Sequence, residues 1–313
     1  MYIVVLAGGL SHERDVSERS GRRVADALRD RGHEVDVLDT DAQLLTKLQA
    51  RRPDCVIPML HGAAGEDGTL REVLEALKLP YVGSTPHACR VAFDKAIAKS
   101  IIESAGIAVP AGVSLPHSTF RELGADAVMQ AVVAHVGLPA IVKPARGGSS
   151  LGVTVVREAS ALPSAMVAAF AYGDVAIVEQ FIEGIEVAVS VVHTVVGPSA
   201  LPAVEIQPDG GVYDYTARYT AGVTEFFCPA RLSDDVSALV AQTAITTHLA
   251  LDLRDLSRSD MIVDRNGGVW FLEVNVAPGM TETSLFPQSL AAADSDLGEI
   301  FDTLVHLSVS RGG

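Results

Sequence analysis

The sequence contains few cysteines, few positive charges and no long apolar run, and each shortage excludes a class of protein. Its three cysteines, Cys55, Cys89 and Cys228, are odd in number and have no close spacing. This excludes a disulfide framework and a cysteine-based zinc site, and it fits a reducing compartment. We therefore expect a cytoplasmic protein.

Acidic residues outnumber basic ones, 39 against 24, which gives a formal net charge of −15. Such a charge argues against broad binding of nucleic acid or of an anionic membrane. The apolar run that starts at Tyr2 ends at Gly8-Gly9, which is too short for the apolar segment of a signal peptide. Since no run is long enough to cross a membrane, we expect neither a nucleic acid nor a membrane as a partner.

Apolar residues make up 48% of the 313 residues, which is enough for real cores and indicates about two domains, or three small ones. Residues 1–93 alternate strand and helix patterns, which predicts βαβ units and a parallel sheet covered by helices. Within them, Tyr81-Val82-Gly83 is expected to be a short strand. Residues 94–184 predict a small α+β unit, in which one of the helices covers the region around Phe120–His135 without a break.

Residues 185–313 begin with strand patterns and continue into a loop at about 208–222. This loop is polar and rich in glycine and tyrosine, so it has little potential to join a core. Long loops of this kind in compact domains are often lids over a site. We therefore expect a lid there.

The most informative segment combines Arg258-Ser-Asp260 with Glu273-Val-Asn275. The apolar stretches between them predict two strands joined by a turn near Asn266-Gly267. Folding there brings Asp260 and Glu273 opposite each other, where like charges destabilise a sheet. Asn275, two residues beyond Glu273, points to the same face. Two carboxylates and an amide oxygen in an apolar sheet predict a Mg²⁺ site, although acidic residues near a hairpin commonly form only a solvated face.

Two further segments carry weaker signals for a nucleotide. Lys143 ends an apolar strand and opens a glycine-rich loop in which the hydroxyls of Ser149 and Ser150 could help to surround a phosphate. An ordinary turn explains such a loop about as well. The connector Glu179-Gln-Phe-Ile-Glu-Gly184, followed by Glu186, could offer backbone groups to an adenine and a carboxylate to a ribose, but it could equally be a charged connector.

The ends of the first and third predicted strands carry two candidate substrate ligands. Glu13 lies where ligands commonly bind in parallel sheets, and it could hold an ammonium group. Capping of the next helix by Ser11 is a serious alternative. His61 stands in a glycine-rich loop, where a functional role explains it about as well as a structural one.

Taken in order, these segments resemble those of the D-alanine–D-alanine ligases, which are ATP-grasp enzymes. The resemblance runs from Gly8-Gly9 to the loop Gly279–Pro287 and so covers nearly the whole chain. Each motif is weak alone, but all of them in order are specific. The shared motifs are Ser11-His-Glu-Arg-Asp-Val-Ser17, His61-Gly62, Gly65-Glu-Asp-Gly68, Asp94-Lys95, Val142-Lys-Pro144, Gly148-Ser-Ser-Leu-Gly152, Tyr213-Asp-Tyr215, Phe227-Cys-Pro-Ala230, Arg258-x-Asp260 and Glu273-x-Asn275.

The resemblance implies an ATP-grasp fold that combines α/β and α+β parts. Residues 1–93 would form an N-terminal parallel βαβ domain that binds substrate. Residues 94–184 and 185–313 would form two α+β subdomains that enclose ATP, the second with the lid and the metal site. ATP and two Mg²⁺ (or Mn²⁺) ions are the implied cofactors, D-alanine is the implied substrate and a homodimer is the implied assembly.

The resemblance also implies a role for each matching residue. ATP would be held at its phosphates by Lys95, Lys143, Ser149, Ser150 and Arg218, at its adenine by Glu179, Phe181 and Ile182, and at its ribose by Glu186. The two metal ions would bind Asp260, Glu273 and Asn275. The substrates would bind Glu13, His61, Ser284 and Leu285, with Glu13 at the first ammonium group and the last two at the second carboxylate. Arg258 and the backbone of Gly279 would stabilise the oxyanion, and Ser149, Tyr219 and Glu13 would form a hydrogen-bonded triad that closes the lid.

Two positions depart from the family pattern. Arg218 stands where the lid usually carries lysine, so it keeps the positive charge but presents a planar fork. Val276-Ala277 replaces a more polar pair after the metal-binding asparagine, so the specificity for the second substrate stays open. Tyr219 favours an amine over a hydroxy acid as the nucleophile.

A carboxylate is a poor electrophile, so ATP must activate it before an amide can form in water. We expect D-alanine to attack the γ-phosphate and give D-alanyl phosphate, which the amine of a second D-alanine then attacks to form the dipeptide for peptidoglycan. The nearest alternative is a ligase of the same fold that joins other amino acids or a hydroxy acid. The expected phosphate-binding and metal-binding residues are all present, which argues against a nucleotide-binding module without activity. The lack of Gly-x-Gly-x-x-Gly after the first strand argues against a dehydrogenase.

Overall fold

A computed structural model describes residues 1–148, 150–210 and 222–312 of the protein. Its first sheet has three parallel strands in the order β2-β1-β3. The elements of this part are β1 (Tyr2–Leu6), α1 (Arg14–Asp30), β2 (Glu34–Leu38), α2 (Leu44–Ala50), β3 (Cys55–Pro58), α3 (Ala63–Glu66) and α4 (Thr69–Ala76). Because parallel neighbours need crossover helices, this order confirms the βαβ prediction. The short strand expected at Tyr81-Val82-Gly83 is only a single bridge between Val56 and Tyr81.

The second sheet has four antiparallel strands in the order β4-β7-β5-β6. Two helices precede it, α5 (Pro86–Phe93) and α6 (Lys95–Ser104). The elements of this part are β4 (Gly112–Pro116), α7 (His117–Leu123), α8 (Ala125–Val136), β5 (Ala140–Pro144), β6 (Thr154–Val156), α9 (Leu162–Phe170) and β7 (Val175–Gln180). The single helix expected around Phe120–His135 is wrong, because Gly124 at φ +87° interrupts the helical backbone.

The third sheet carries the candidate metal ligands. Its main path runs β11-β10-β8-β12-β13, and β9 pairs with β8 at the side. The elements of this part are β8 (Gly184–Thr194), β9 (Gly197–Ala200), β10 (Val204–Pro208), β11 (Thr224–Phe227), α10 (Asp234–Ala250), β12 (Leu256–Asp264), β13 (Val269–Asn275), α11 (Leu285–Ala292) and α12 (Leu297–Arg311). Helix α10 covers this sheet through Val240 and Ala244, which pack against Val189 and Met261. The parallel sheet and the two antiparallel sheets together confirm the expected α/β and α+β organisation.

Helix α12 returns to the first sheet. Phe301, Leu304 and Val305 are buried in the same core as Ile3 and Leu28. The exposed fraction of all five is 0%, so the last helix is part of the N-terminal core. Among the described residues, none of the helices combines the length and the apolar content needed to cross a membrane. The domain limits at residues 93 and 184 stay a prediction.

Candidate active site

The hairpin of β12 and β13 turns on the side chain of Asp264. Its carboxylate accepts hydrogen bonds from the backbone N–H of Asn266 (2.8 Å) and Gly268 (2.9 Å) and from the indole N–H of Trp270 (2.8 Å). Gly267 has φ +80°, a conformation that glycine adopts without strain. Local turn chemistry therefore explains why the chain reverses at this point.

A register shift in this hairpin brings two carboxylates opposite each other. Near the turn, Met261 faces Phe271. One residue further from the turn, Asp260 faces Glu273. The pairing thus skips Leu272, which is the extra residue of a β-bulge. The predicted opposition of Asp260 and Glu273 is confirmed.

The structure pairs Asp260 with Arg258, two residues away on the same strand. The Nε and Nη2 atoms of Arg258 each donate to one oxygen of Asp260 at 2.8 Å, and both residues are buried. An ionised carboxylate offers about four acceptor positions, so this pairing leaves positions for a cation. The amide oxygen of Asn275 accepts from the N–H of Ala277 at 2.8 Å and likewise keeps a second lone pair. Oxygen atoms alone, partly desolvated, are the donor set that suits Mg²⁺.

Lys95 connects this hairpin to the glycine-rich loop. Asp94 accepts from the N–H groups of Ala96 and Ile97 and so starts α6 directly before Lys95. The ammonium group of Lys95 lies 3.2 Å from Glu273 Oε2 and donates to the carbonyl of Gly147 at 2.6 Å. A single buried cation therefore contacts two of the predicted motifs.

A second charged cluster contains Lys99, Lys143 and Glu179. Glu179 binds the ammonium groups of Lys143, at 2.6 Å, and of Lys99. Burial lowers the pKa of Lys99 to about 8, despite the carboxylate beside it. Burial alone would raise the pKa of Glu179, but the two cations hold that pKa below its ordinary value. The side chain of Glu179 therefore pairs with lysines, its backbone lies in the sheet between β4 and β5, and its predicted role at an adenine stays a prediction.

Sequence reasoning missed Lys99. The signal available was its position four residues after Lys95, which places both side chains on one face of a helix. The sequence does not show that Glu179, on a distant strand, faces the same place.

A cavity of about 720 Å³ lies between the second and third sheets. This volume is typical of sites for ligands of nucleotide size. The predicted nucleotide and metal residues that line it are Lys95, Lys143, Ser150, Glu179, Phe181, Ile182, Glu186, Asp260 and Glu273. The N–H of Phe181 donates to the carbonyl of Pro139 at 3.1 Å, so Phe181 could meet an adenine only through its carbonyl or its ring.

A smaller cavity of about 150 Å³ adjoins the first. The predicted residues that line it are Glu13, His61, Lys95, Arg258, Glu273, Asn275, Gly279, Ser284 and Leu285. Lys95, Gly147, Gly148 and Glu273 line both cavities, so the two meet there. The structure thus gathers these predicted residues around one continuous space. Ser149, Arg218, Tyr219 and most of the expected lid, residues 211–221, lie outside the described residues.

Glu13 begins helix α1 but does not cap it. Its side chain makes no capping hydrogen bond, whereas the hydroxyl of Ser11 accepts from the N–H of Glu13 at 3.1 Å. The carboxylate instead extends towards two glycines: a Cβ atom added to Gly148 would lie 3.6 Å from Glu13 Oε2, and one on Gly62 would lie 3.7 Å away. This position is compatible with a ligand for an ammonium group.

His61 is held by the protein. Its Nδ1 atom lies 3.0 Å from the carbonyl of Ala277, and its Nε2 atom lies 3.5 Å from the hydroxyl of Ser20. Burial lowers the pKa of His61, which favours a neutral ring at physiological pH. The ring links the end of β3 to the chain after β13, and its predicted role as a substrate ligand stays a prediction.

Glu66 is a second residue that sequence reasoning does not select, although it lies in the motif Gly65-Glu-Asp-Gly68. It is buried beside the small cavity, and its carboxylate accepts from the N–H of Gly62 at 2.8 Å. Burial, with a smaller contribution from Glu13, raises the pKa of Glu66 to about 7. No pattern in the sequence distinguishes this carboxylate from the half-buried Asp67 next to it.

The loop before α11 closes the small cavity. Ser284 is the residue that starts this helix, and its hydroxyl accepts from the N–H of Thr281 at 3.1 Å. A Cβ atom on Gly279 would lie 2.8 Å from Ser284 Oγ, so the loop leaves no room for a side chain there. The N–H groups at the start of a helix attract carboxylates, as the predicted role of Ser284 and Leu285 requires.

Comparisons with known proteins agree with this geometry. Sequence profiles described as D-ala D-ala ligase N-terminus and D-ala D-ala ligase C-terminus match residues 36–84 and 101–306. The chain is 42% identical over 290 residues to the D-alanine--D-alanine ligase of Anaeromyxobacter dehalogenans (strain 2CP-1 / ATCC BAA-258), with 92% of this chain and 91% of the relative covered. It is 37% identical to that of Pelotomaculum thermopropionicum, with 99% and 97% covered.

Solved structures agree as well. The crystal structure of D-alanine--D-Alanine Ligase from Bacillus anthracis has a TM-score of 0.83 at 29% identity, with 99% of this chain and 98% of that chain covered. Its complex with ATP has a TM-score of 0.79 at 28% identity, with 99% and 97% covered. The VanG D-Ala:D-Ser Ligase from Enterococcus faecalis has a TM-score of 0.85 at 28% identity, with 98% and 99% covered.

Proposed function

This chain belongs to the D-alanine–D-alanine ligase family, and we propose how its residues carry out the ligation. It is an ATP-grasp enzyme that joins two D-alanines for peptidoglycan synthesis and uses ATP with Mg²⁺. One observation carries the assignment of roles below. A large and a small cavity meet at Lys95 and Glu273, so a nucleotide in one would present its terminal phosphate to an amino acid in the other.

The nucleotide would lie in the large cavity, with its adenine at the backbone around Phe181 and Ile182 and its ribose at Glu186. Lys143 is held by Glu179, and Lys95 lies at the junction of the cavities. Fixed cations at these places would lower the barrier by neutralising charge on the transferring phosphoryl group. Ser150 lines the same cavity and would add a donor.

Asp260, Glu273 and Asn275 would hold Mg²⁺. Their oxygen atoms fit this cation, because Asp260 is buried and opposes Glu273 in the sheet. When bound, the metal supplies positive charge to the phosphates. The protein's own part is to keep these oxygens together, which the bulge at Leu272 does through the strand register.

The first D-alanine would place its ammonium group at Glu13 in the small cavity. One of its carboxylate oxygens would attack the γ-phosphorus, and the bond from that phosphorus to the bridging oxygen of ADP would break. The product is D-alanyl phosphate. Its carbonyl oxygen would then face Arg258, whose guanidinium is oriented by two hydrogen bonds to Asp260.

The second D-alanine would bind its carboxylate at Ser284 and Leu285. Its neutral amine would attack the acyl carbon, and the carbonyl oxygen would become an oxyanion stabilised by Arg258 and the N–H of Gly279. Expulsion of phosphate and loss of the amine proton complete the dipeptide. The triad of Glu13, Ser149 and Tyr219 is part of this proposal, which the family resemblance supports, and Arg218 would act from the lid.

A substrate panel tests the proposed function. ATP-dependent phosphate release should be fast with D-alanine and close to background with L-alanine or D-lactate alone, because Glu13 and Ser284 would align only one hand of the amino acid. D-Serine added to limiting D-alanine measures the choice of second substrate, which Val276 and Ala277 leave open. Equal phosphate release with L-alanine and D-alanine would contradict the proposal.

We further propose that the enzyme acts in the cytoplasm as a homodimer, with domains at residues 1–93, 94–184 and 185–313. The three cysteines are free, and burial raises the pKa of the Cys55 thiol to about 12, which suits a reducing compartment. Light scattering of the purified chain would measure the oligomer. A mass of one chain at micromolar concentration would contradict the homodimer.

A further inference from the structure

Three potential metal ligands from the N-terminal and C-terminal parts of the chain lie close together, outside both cavities of the active site. His33 follows helix α1, and Asp302 and His306 lie on helix α12. The Nε2 atom of His33 is 2.7 Å from Asp302 Oδ1, and the Nε2 atom of His306 is 3.4 Å from the same oxygen. All three ligand atoms lie within 4.8 Å of one another. In the described part of the chain, neither cavity of the active site is lined by any of the three.

The fold presets this arrangement from both sides. Asp302 and His306 are four residues apart on a helix, a spacing that places two ligands on one face. The N–H of His33 donates to the carbonyl of Leu28 at 3.2 Å, and Leu28 packs in the same core as Phe301. The ligands therefore depend on packing that the domain core already fixes.

The neighbouring charges do not block the site. Arg31, two residues before His33, pairs with Asp296 at 2.8 Å and with Glu299 at 3.7 Å, so this arginine is bound by other carboxylates. The α-amino group of Met1 lies 3.4 Å from Nδ1 of His33, on the other side of the ring from Asp302. An ammonium group can only donate, so Nδ1 of His33 accepts from it, and this contact directs Nε2 towards Asp302.

We propose that His33, Asp302 and His306 form a binding site for Zn²⁺. Two imidazoles and one carboxylate suit this ion, whereas Mg²⁺ prefers oxygen ligands alone. In a tetrahedral zinc site with bonds of about 2.1 Å, ligand atoms are separated by roughly 3.4 Å. The distance from His306 to Asp302 already has this value, and the distance from His33 must lengthen by less than an ångström.

Zinc binding displaces one proton. The proton of the neutral His33 ring lies on Nε2, towards the carboxylate of Asp302, and it leaves to solvent when Nε2 binds the metal. A proton of the Met1 ammonium group then moves to Nδ1, so the imidazole stays neutral and one proton is released overall. The side chain of His33 is 7% exposed, while that of His306 is 65% exposed. The fourth coordination position therefore faces water. The bound ion would join the turn after α1 to the last helix and stabilise the domain that they share.

Titration of Zn²⁺ into the metal-stripped protein tests the proposal, with Mg²⁺ in large excess to occupy the catalytic oxygens. We expect one high-affinity zinc ion per chain by calorimetry, release of about one proton, and a rise in melting temperature that Mg²⁺ alone does not give. X-ray absorption at the zinc edge should show nitrogen and oxygen neighbours. No zinc binding beyond that of an unrelated protein would overturn the proposal.

The variants His306→Gln and Asp302→Asn identify the ligands. Each should weaken zinc binding by at least about tenfold and leave ligase activity unchanged. His306 is exposed, so His306→Gln should fold, and circular dichroism checks this. The matched control is His135→Gln, an exposed histidine on another helix, α8, which should bind zinc like the parent protein. Equal zinc affinity in all three variants would overturn the assignment.

Discussion

The ammonium group of Lys95 lies 3.2 Å from the carboxylate of Glu273, and the same two residues line both cavities of the active site. Lys95 starts helix α6, while Glu273 lies on β13, so two distant parts of the chain meet at the point where phosphoryl transfer would occur. The ammonium group of Lys95 is thus held beside the carboxylate of Glu273, which would also bind the metal. Both partners are therefore placed before substrate arrives, which is what electrostatic preorganisation requires.

Replacing Glu273 with glutamine should abolish ATP-dependent dipeptide formation. The change keeps the shape but removes a negative charge that would bind Mg²⁺ and that pairs with Lys95. We expect kcat to fall by at least roughly 10²-fold, as for loss of one preorganised charge in other enzymes. Phosphate release and dipeptide chromatography measure it. Glu158→Gln, at an exposed position outside both cavities, is the matched control, and full activity in Glu273→Gln would refute the metal assignment.

The pairing of Asp260 with Glu273 was predictable from the sequence, but for a reason that is only partly correct. A turn centred on Asn266-Gly267 places residues 260 and 273 opposite each other. In the structure Asp264 pairs with Gly268, which moves the register by one residue, and the bulge at Leu272 moves it back. The two deviations cancel. A bulge has no clear local signature, so its position could not be predicted.

Partners that come from different elements were also beyond prediction. Glu179 faces Ile141 on β5, and this pairing sets which lysine it meets. The sequence of β7 shows that Glu179 belongs to a strand but not which strand lies next to it. The same limit applies to helix α12, whose apolar face is evident from the sequence while its place on the first sheet is not.

The cluster of Glu179 with its two lysines predicts unequal effects of mutation. Glu179→Gln leaves Lys99 and Lys143 buried side by side without their carboxylate, so we expect the free energy of unfolding to fall by roughly 3 kcal/mol. Lys99→Met leaves Lys143 and Glu179 as one pair of opposite charges, so it should lower the free energy of unfolding by less. Urea unfolding of both variants measures the difference. A larger loss in Lys99→Met than in Glu179→Gln would contradict this account of the cluster.

His248 should make the protein lose stability in mild acid. It is fully buried, its Nδ1 atom lies 2.8 Å from the hydroxyl of Ser257, and burial lowers its pKa to about 4 from an ordinary value of 6.5. Because the unfolded chain takes up the proton first, the stability present above about pH 6.5 is lost as the pH falls towards 4. The loss should reach roughly 3 kcal/mol.

The variant His248→Gln isolates this effect, because glutamine does not titrate. The difference in unfolding free energy between parent and variant should shrink or reverse between about pH 7 and pH 4, as measured by urea unfolding. His135→Gln, at an exposed position, serves as the control and should show no such change with pH. A constant difference between parent and His248→Gln would show that the ring does not stay neutral in the folded protein.

Glu66 predicts a pH dependence of the opposite sign. Burial raises its folded-state pKa to about 7, so the folded protein holds a proton that the unfolded chain has lost above its ordinary pKa of 4.5. The stability associated with this proton is complete below about pH 4.5 and is lost as the pH rises through 7. Glu66→Gln keeps an acceptor for the N–H of Gly62 and removes the titration. Relative to the parent, it should gain up to roughly 3 kcal/mol on going from about pH 5 to pH 8.

This gain separates two roles for Glu66. If the carboxyl group serves only to hold the loop at Gly62 beside Glu13, then Glu66→Gln keeps its kcat and its D-alanine KM while it becomes more stable at high pH. If the ionised form also takes part in the reaction, kcat falls and the alkaline rise of the pH profile between about 6 and 8 disappears. Urea unfolding and pH–rate profiles of the same two proteins measure both quantities. Glu72→Gln is the matched control, because that carboxylate pairs with Arg90 at the surface and should alter neither profile.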